Sequence, residues 1–390
     1  MKEICSKEKC TGCCACMNKC PQNCIKMKED EYGSLVPEID ESKCINCNLC
    51  LRTCPINNVI NSNNPIKAYA AWSLNENERK TSASGGIATT FYKHIVSKGG
   101  YIAGTSFNEK MELKHSLVNN EEQIEKFKGS KYIQSYIGYI YRNIKEKLEQ
   151  GEKVLFIGTP CQVAGVNMYL NREYKNLITI DLICHGVPSN KLLNEHVKNI
   201  ENKQGKCINR ITFRGEDRYL FTAYQDEKIV YQKSSREDLF LLGFLNGIFS
   251  RKSCYQCKYA NLNRISDITI GDFWGLGKEK KFKYSTKNGV SLILTNTKKG
   301  EKFLEECKNE LFLEERDIDE ATKENEQLKN PTKETEKHTM FLRLYPKHGF
   351  EYSCKKCLKK ELKDIKKEKI INRIASLINR RQKNDWYRKY

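Results

Sequence analysis

The 390-residue sequence has no run approaching the roughly 18 consecutive apolar residues of a membrane-spanning helix. Behind the start Met1-Lys2-Glu3 come Ile4 and Cys5 with no apolar stretch, so a secretory leader is not expected. A recognised nucleic-acid-binding motif is missing too. Only the formal charge of +19 speaks for such a partner, and nucleic acid is therefore not expected. What remains is a cytoplasmic chain whose thiols stay reduced. Hydrophobic residues make up 39%, an ordinary share for a packed core, and the length suits two or three domains.

Cysteine is what the chain has in excess, with 19. At that density a reducing compartment points to metal or catalysis rather than disulfides. Eleven of the cysteines fall within residues 1–60. There Cys10-x2-Cys13-x2-Cys16-x3-Cys20-Pro21 recurs as Cys44-x2-Cys47-x2-Cys50-x3-Cys54-Pro55. Three cysteines two residues apart wrap a loop around one 4Fe-4S cubane, each sulfur reaching a separate iron. The fourth, before proline, ligates the other cluster of a two-cluster bacterial-type ferredoxin. The spacing thus groups Cys10, Cys13 and Cys16 with Cys54, and Cys44, Cys47 and Cys50 with Cys20. Pro21 and Pro55 end the short helical turn and aim the preceding cysteine inward. Zinc would use a C-x2-C…C-x2-C layout and leave the third cysteine of each run idle. Cys5, Cys14 and Cys24 lie outside the pattern and read as spare thiols.

Residues 57–64, followed by Pro65, are polar and turn-prone, the composition of a linker. Beyond them short apolar runs at 67–73, 101–107, 154–158, 178–183, 268–270 and 290–295 read as strands. Stretches 87–97, 137–149 and 192–200 read as helices, and this alternation favours an α/β domain. Residues 312–340 are highly charged and read as surface. From Cys354 the chain becomes a basic helical tail.

Four motifs stand out in the middle. Ser82-Ala83-Ser84-Gly85-Gly86 opens a helix after a strand, where free N–H groups suit a phosphate, although any helix can begin with Ser-Gly. Gly129-Ser130-Lys131-Tyr132-Ile133-Gln134-Ser135 is polar with one cation and fits a surface loop as well. Gly158-Thr159-Pro160-Cys161-Gln162 and Leu182-Ile183-Cys184-His185-Gly186-Val187-Pro188 each follow an apolar strand, where α/β sheets place ligands. Cys254-x2-Cys257-Lys258-Tyr259-Ala260 leads to Ser266-Asp267-Ile268-Thr269-Ile270-Gly271-Asp272-Phe273-Trp274-Gly275. By residues alone, a cluster and two buried thiols beside an unrelated C-x-x-C remain equal readings.

In this order the motifs resemble the beta subunits of the coenzyme F-420 hydrogenase and dehydrogenase family, and chlorophyll-pathway reductases look related. The resemblance runs from about Ala68 to about Phe312, with the ferredoxin module a common N-terminal attachment. It implies FAD, a further 4Fe-4S cluster in the flavin domain, and an organic substrate or coenzyme. By match, Cys161, Cys184, Cys254 and Cys257 would hold the third cluster. Ser84, Gly85 and Gly86, with Lys131, Tyr132 and Gln134, would line the flavin, and Asp272 and Phe273 follow. A cubane with four thiolates carries roughly −2. Three of them would bring the +19 to about +13.

The fold class expected is therefore α/β: an α+β ferredoxin module (1–60), an α/β flavin domain in two parts (66–150 and 151–345) and a basic helical tail (346–390). The function expected is an oxidoreductase passing electrons between ferredoxin-type clusters, a third cluster, FAD and an organic substrate, with a ferredoxin or other redox protein as partner. No catalytic residue is singled out. His185 could donate a proton near a flavin, or simply hydrogen-bond locally. Two other functions compete. One is an electron-transfer subunit serving a partner enzyme, for which surface-polysaccharide synthesis is an analogy. The other is an iron–sulfur sensor. Cys354-x2-Cys357 has no second pair nearby, only His348. Leu362, Ile365, Ile370, Ile374, Leu377 and Ile378 recur at helical spacing in the basic tail, which could touch anionic lipid peripherally or pack as a solvated helix.

Overall fold

The computed structural model describes residues 3–215 and 219–387, with side chains described through Arg373. The chain forms two compact units, one of residues 1–194 and 250–333, the other of residues 195–249 and 334–390.

The first unit is built on an eight-stranded mixed sheet. Its order is Leu311–Arg316, Lys67–Ser73, Ser291–Thr295, Ile268–Asp272, Leu177–Leu182, Val154–Gly158, Tyr101–Phe107 and Leu113–Val118. The four strands beginning at Ile268, Leu177, Val154 and Tyr101 run parallel, and antiparallel strands flank them. Strand Val154–Gly158 shows why. Leu155 and Ile157 point into a core with Phe91 and Ile95 of helix Ile87–Ser97 and Phe303 of helix Lys298–Glu306. Val154 and Phe156 point the other way, toward Tyr141 and Ile144 of helix Ile140–Glu149 and Val163 and Val166 of helix Pro160–Leu170. A strand covered by helices on both faces has no polar side, hence the unbroken apolar run.

The six expected strands and three expected helices all form, four of them with the expected ends and the other five with ends shifted by up to four residues. Two strands of this sheet escaped the pattern, as did the strands of the two smaller sheets. Leu113–Val118 carries Lys114 and His115. Leu311–Arg316 lies in the charged stretch read as surface, yet it is an edge strand. Its Arg316 is buried and donates to Glu320 and Glu314, the Nε–Oε2 contact to Glu320 being 2.8 Å.

The ferredoxin segment contributes to the same core as the sheet: Cys13, Cys16, Met17 and Ile25 pack with Tyr141, Val163 and Tyr169. Its strands Ile25–Glu29 and Leu35–Ile39 form an antiparallel pair. Residues 57–64 are tied down as well. Asn57 Nδ2 donates to the Ile4 carbonyl at 2.8 Å, and the Asn63 and Arg264 backbones exchange hydrogen bonds of 2.8 Å.

One buried polar chain supports helix Pro160–Leu170. His115 Nε2 faces the Ile157 carbonyl at 3.2 Å and Nδ1 faces Ser135 Oγ at 3.0 Å. A ring donating through Nε2 accepts through Nδ1, so the Ser135 hydroxyl donates to it. Ser135 Oγ accepts from Gln162 Nε2 at 2.9 Å, and Gln162 Oε1 accepts from Thr159 N–H at 3.0 Å, closing the capping box of helix Pro160–Leu170. Burial pushes His115 down to about 4. Between that value and the unfolded one of about 6.5 the unfolded chain binds more protons. Stability from this ring is complete above about 6.5 and falls as the pH drops, by at most roughly 3 kcal/mol. Denaturant unfolding at a series of pH values should show wild type losing stability below pH 6.5 more steeply than His115→Gln. Parallel curves would contradict this.

In the second unit, strands Arg210–Thr212, Leu220–Gln225 and Lys228–Ser234 make an antiparallel sheet. Phe221, Phe240, Phe249, Phe341 and Phe350 pack edge-on or tilted in its core. Helix Glu336–Cys357 bends at Gly349, and helix Lys359–Tyr387 follows. The tail is thus helical. Ile370 is 60% exposed, whereas Ile374, Leu377 and Ile378 lie outside the described side chains. Among the described residues no helix is long and apolar enough to cross a membrane.

Candidate metal centre

The duplicated cysteine runs fold alike. Gly12 and Asn46, and Cys14 and Asn48, are equivalent positions, and all four have positive φ of 66°, 53°, 61° and 60°. Glycine and asparagine take this left-handed region most readily. Each run therefore curls into a loop ended by a short helix, Ala15–Lys19 or Leu49–Arg52.

Two small cavities result. Cys10, Cys13, Cys16 and Cys54 line one, while Cys20, Cys44, Cys47 and Cys50 line the other. The fourth cysteine of each run thus lines the other run's cavity. All 19 cysteines are free of disulfides. Among the described residues no three His, Cys, Asp or Glu side chains converge as they would on a single ion. Thiols spread around a cavity suit a cubane, since each sulfur must reach a different iron. The cavities differ in exposure. Cys10, Cys13, Cys16 and Cys54 are all buried, whereas Cys44, Cys47 and Cys50 are half-buried and Ile45 beside them is 59% exposed.

The three thiols outside the pattern are not remote. Cys5 and Cys14 line the inner cavity and Cys24 the outer, where Cys24 Sγ lies 3.3 Å from Cys20 Sγ. The Cys5 thiol hydrogen-bonds Cys10 and Cys54. It is the main reason Cys10 falls to about 6 and Cys54 to about 7; the Arg251 charge also favours the Cys10 thiolate.

The structure also gathers Cys161, Cys184, Cys254 and Cys257. Cys161 opens helix Pro160–Leu170, directly after strand Val154–Gly158, and Cys184 follows strand Leu177–Leu182. Both thus leave the carboxyl ends of parallel strands. Cys254 and Cys257 lie in and just after the 3-10 turn Lys252–Gln256. Gly186, at φ 96°, leaves room for this turn: a Cβ there would stand 3.2 Å from Cys254 Cβ. Desolvation, then mutual repulsion, raises the thiols, with Cys161 at about 12, Cys254 at about 11 and Cys184 well above its usual value. Such thiols ionise only beside a strong cation, which an iron–sulfur core supplies. Cys13 of the inner cavity also feels Cys161, and Gly165 one turn along the same helix lets Cys13 approach, a Cβ there meeting Cys13 Cβ at 3.1 Å.

Two arginines that sequence reasoning missed hold these loops. Buried Arg251 donates to the carbonyls of Cys10 and Leu35, both at 2.7 Å, and to Gln134 Oε1 at 2.9 Å. Its own N–H binds the Val187 carbonyl and its carbonyl accepts from Cys254 N–H. It thus joins the Cys10, Cys184 and Cys254 segments. Arg264, 2% exposed, pairs with fully buried Asp181 at 2.9 Å and donates to the Tyr259 and Asn261 carbonyls and Thr269 Oγ1. The Cys257 turn is thereby bound to the strand leading to Cys184. The one signal available was an arginine near each end of the C-x2-C stretch, a weak one without structure.

The flavin-associated residues are less uniform. Gly85 is held at the ends of two neighbouring strands by Ser73 N–H to its carbonyl (2.7 Å) and by its own N–H to Ser291 Oγ (2.9 Å). Gly86 caps helix Ile87–Ser97, and Ser84 precedes them at φ 53°. A Glu78–Lys128 ion pair of 2.7 Å brings segment 128–134 to this loop. Gln134 is committed elsewhere, its Nε2 on the Thr11 carbonyl at 3.0 Å and its Oε1 on Arg251. Tyr132 is half-buried. Lys131 Nζ donates to the carbonyls of Phe127, Lys128 and Gly129. No carboxylate among the described residues faces it, and desolvation pushes it down to about 7. Of the six, Lys131 alone carries a charge complementary to an anionic group such as a flavin diphosphate, and its three N–H groups are already engaged by carbonyls. The rest show packing, not a finished cradle. Asp272 ends strand Ile268–Asp272, and Phe273 is buried against Trp72 and Leu292. The His185 carbonyl accepts from Thr332 Oγ1 at 2.9 Å. Cys354 and Cys357 are buried in helix Glu336–Cys357, with Cys357 Sγ on the Lys337 carbonyl.

Two family models match parts of the chain. Residues 9–58 match the family model of the 4Fe-4S dicluster domain. Residues 151–321 match the model for the C terminus of the beta subunit of coenzyme F-420 hydrogenase/dehydrogenase. A curated relative, one of the subunits of the F(420)H(2) dehydrogenase of Methanosarcina mazei, is 21% identical over 244 residues, 60% of this chain and 61% of that protein. The chain thus spans about three fifths of that relative's length. A chain of the F-420-reducing nickel–iron hydrogenase complex from Methanosarcina barkeri, solved as a xenon derivative, aligns with a TM-score of 0.46 and 18% identity, covering 80% of this chain and 96% of that one.

Proposed function

We propose, from the match of residues 151–321 to the C terminus of coenzyme F-420 hydrogenase/dehydrogenase beta subunits and of residues 9–58 to a 4Fe-4S dicluster domain, an iron–sulfur flavoprotein oxidoreductase with an internal electron relay. Cys20, Cys44, Cys47 and Cys50 would hold an outer cubane, and Cys10, Cys13, Cys16 and Cys54 an inner one. Cys161, Cys184, Cys254 and Cys257 would hold a third beside it. The observation that carries the reading is the adjacency of the three sets: the fourth cysteine of each run lines the other run's cavity, and Cys13 packs against Gly165, one turn along the helix that Cys161 opens. Clusters exchange single electrons, and FAD, when bound, exchanges these with the two-electron steps of an organic substrate.

The chain's own residues do the positioning. Arg251 clamps the inner-cluster loop to the turn carrying Cys254, so that neither shifts as charge passes. Burial of the inner thiols excludes water and oxidant from that cluster. Lys131 would meet a bound flavin diphosphate by exchanging one of its three carbonyl partners for a phosphate oxygen.

Anaerobically reconstituted protein should contain about twelve irons and one FAD per chain, four irons per cubane. Lys131→Met should lower FAD content while leaving iron unchanged, because only the flavin would use that charge. Protein that binds no flavin at any loading would sink the flavoprotein reading. A second reading, an electron-transfer subunit without its own substrate, is favoured by the relative being named as part of a dehydrogenase. Turnover by the isolated chain separates the two.

A further inference from the structure

The second unit holds a cavity of ≈ 730 Å³ that the cysteines and the flavin-associated residues do not touch. That volume is in the range of small-molecule sites. Six lysines line it, at 203, 233, 355, 359, 363 and 366, against two carboxylates. Both carboxylates are already neutralised, Glu351 by Lys203 and Lys355 and Glu237 by Lys369. Lys233, Lys359, Lys363 and Lys366 have no carboxylate partner among the described residues, so the cavity keeps an excess of four positive charges.

A second, independent feature is a buried imidazole in the cavity wall. His196 is 5% exposed, and its Nε2 donates to Asp238 Oδ2 at 2.8 Å. Asp238 is fully buried and held from two other sides, by the Tyr231 hydroxyl at 3.0 Å and by Leu241 N–H on Oδ1 at 2.8 Å. The carboxylate therefore fixes the ring, and Nδ1 is left as an acceptor with no hydrogen-bond partner among the described residues. Ile200, Leu239 and Leu362 give the cavity an apolar wall.

We infer that this cavity binds a soluble organic phosphate of nucleoside-diphosphate size and charge. Its phosphates meet the four unpaired ammonium groups, its organic body lies on the apolar wall, and a hydroxyl donates to His196 Nδ1. Such a site is separate from the redox reading and stands whether or not the chain is an oxidoreductase.

The test is calorimetric titration of the full-length, cluster-loaded chain with ADP and with inorganic pyrophosphate. Saturable one-to-one binding of ADP is expected, weaker at high salt. Lys359→Glu and Lys363→Glu should each weaken it by roughly tenfold or more, since each removes a charge-assisted contact and adds a repulsion. Both positions lie on a helix surface, so unchanged melting midpoints will show that the fold is kept. No saturable heat up to roughly millimolar ligand overturns the proposal, as does binding that the two charge reversals leave intact. Adsorption to phosphatidylglycerol vesicles without ADP or pyrophosphate binding also overturns it, because the lysines would then serve a lipid surface.

Discussion

Cys161→Ser protein, reconstituted without oxygen, should hold about eight irons where the parent holds about twelve, since one cubane of four is lost. The cysteine opens helix Pro160–Leu170, a position fixed by the Thr159–Gln162 capping box. A serine there keeps the helix start and loses only the soft, ionisable sulfur. Iron content unchanged from the parent would remove the third cluster from the proposal. Two companion variants test the cross-ligation. Cys54→Ser should cost the buried inner cluster and Cys20→Ser the exposed outer one, although in sequence each belongs to the opposite run. Because the two cavities differ in exposure, a small hydrophilic oxidant distinguishes the losses: the Cys54→Ser protein keeps the fast-reacting cluster and the Cys20→Ser protein keeps the slow one.

Arg264→Met should destabilise the first unit by about 3–5 kcal/mol, the cost of leaving a buried charge without its partner. Asp181 is fully buried, and Arg264 stands 2.9 Å from it. Methionine fills much of the volume but leaves the carboxylate uncompensated, together with the Tyr259 and Asn261 carbonyls. Replacing both members, Arg264→Met with Asp181→Leu, should recover most of the loss, because no charge then remains in the core. Denaturant midpoints of the three proteins measure this. A single variant as stable as wild type would mean that the pair contributes little to holding the Cys257 turn.

Much of the architecture was legible because it is local. The unbroken apolar run of Val154–Gly158 and the helical pattern of 87–97 are set by neighbours in the chain, and both formed where the sequence placed them. The charged strand Leu311–Arg316 was not legible. An edge strand needs one apolar side only, and its arginine is buried by carboxylates that the sequence does not mark as partners. Gln134 shows the same limit at the site. The family motif places it at a flavin, while its amide is spent between Thr11 and Arg251, residues over a hundred positions away.

With no long apolar run to compete, the cysteine spacing is the strongest signal in the sequence. A fixed spacing repeated twice dictates loop geometry, down to matching left-handed residues at 12, 46, 14 and 48. Which thiols share a cavity with Cys5 and Cys24, which cavity faces solvent, and that Arg251 and Arg264 bind the loops together were matters for the tertiary structure. Each depends on segments distant in sequence meeting in a packed interior, where burial rather than spacing sets the charge and the partners of a side chain.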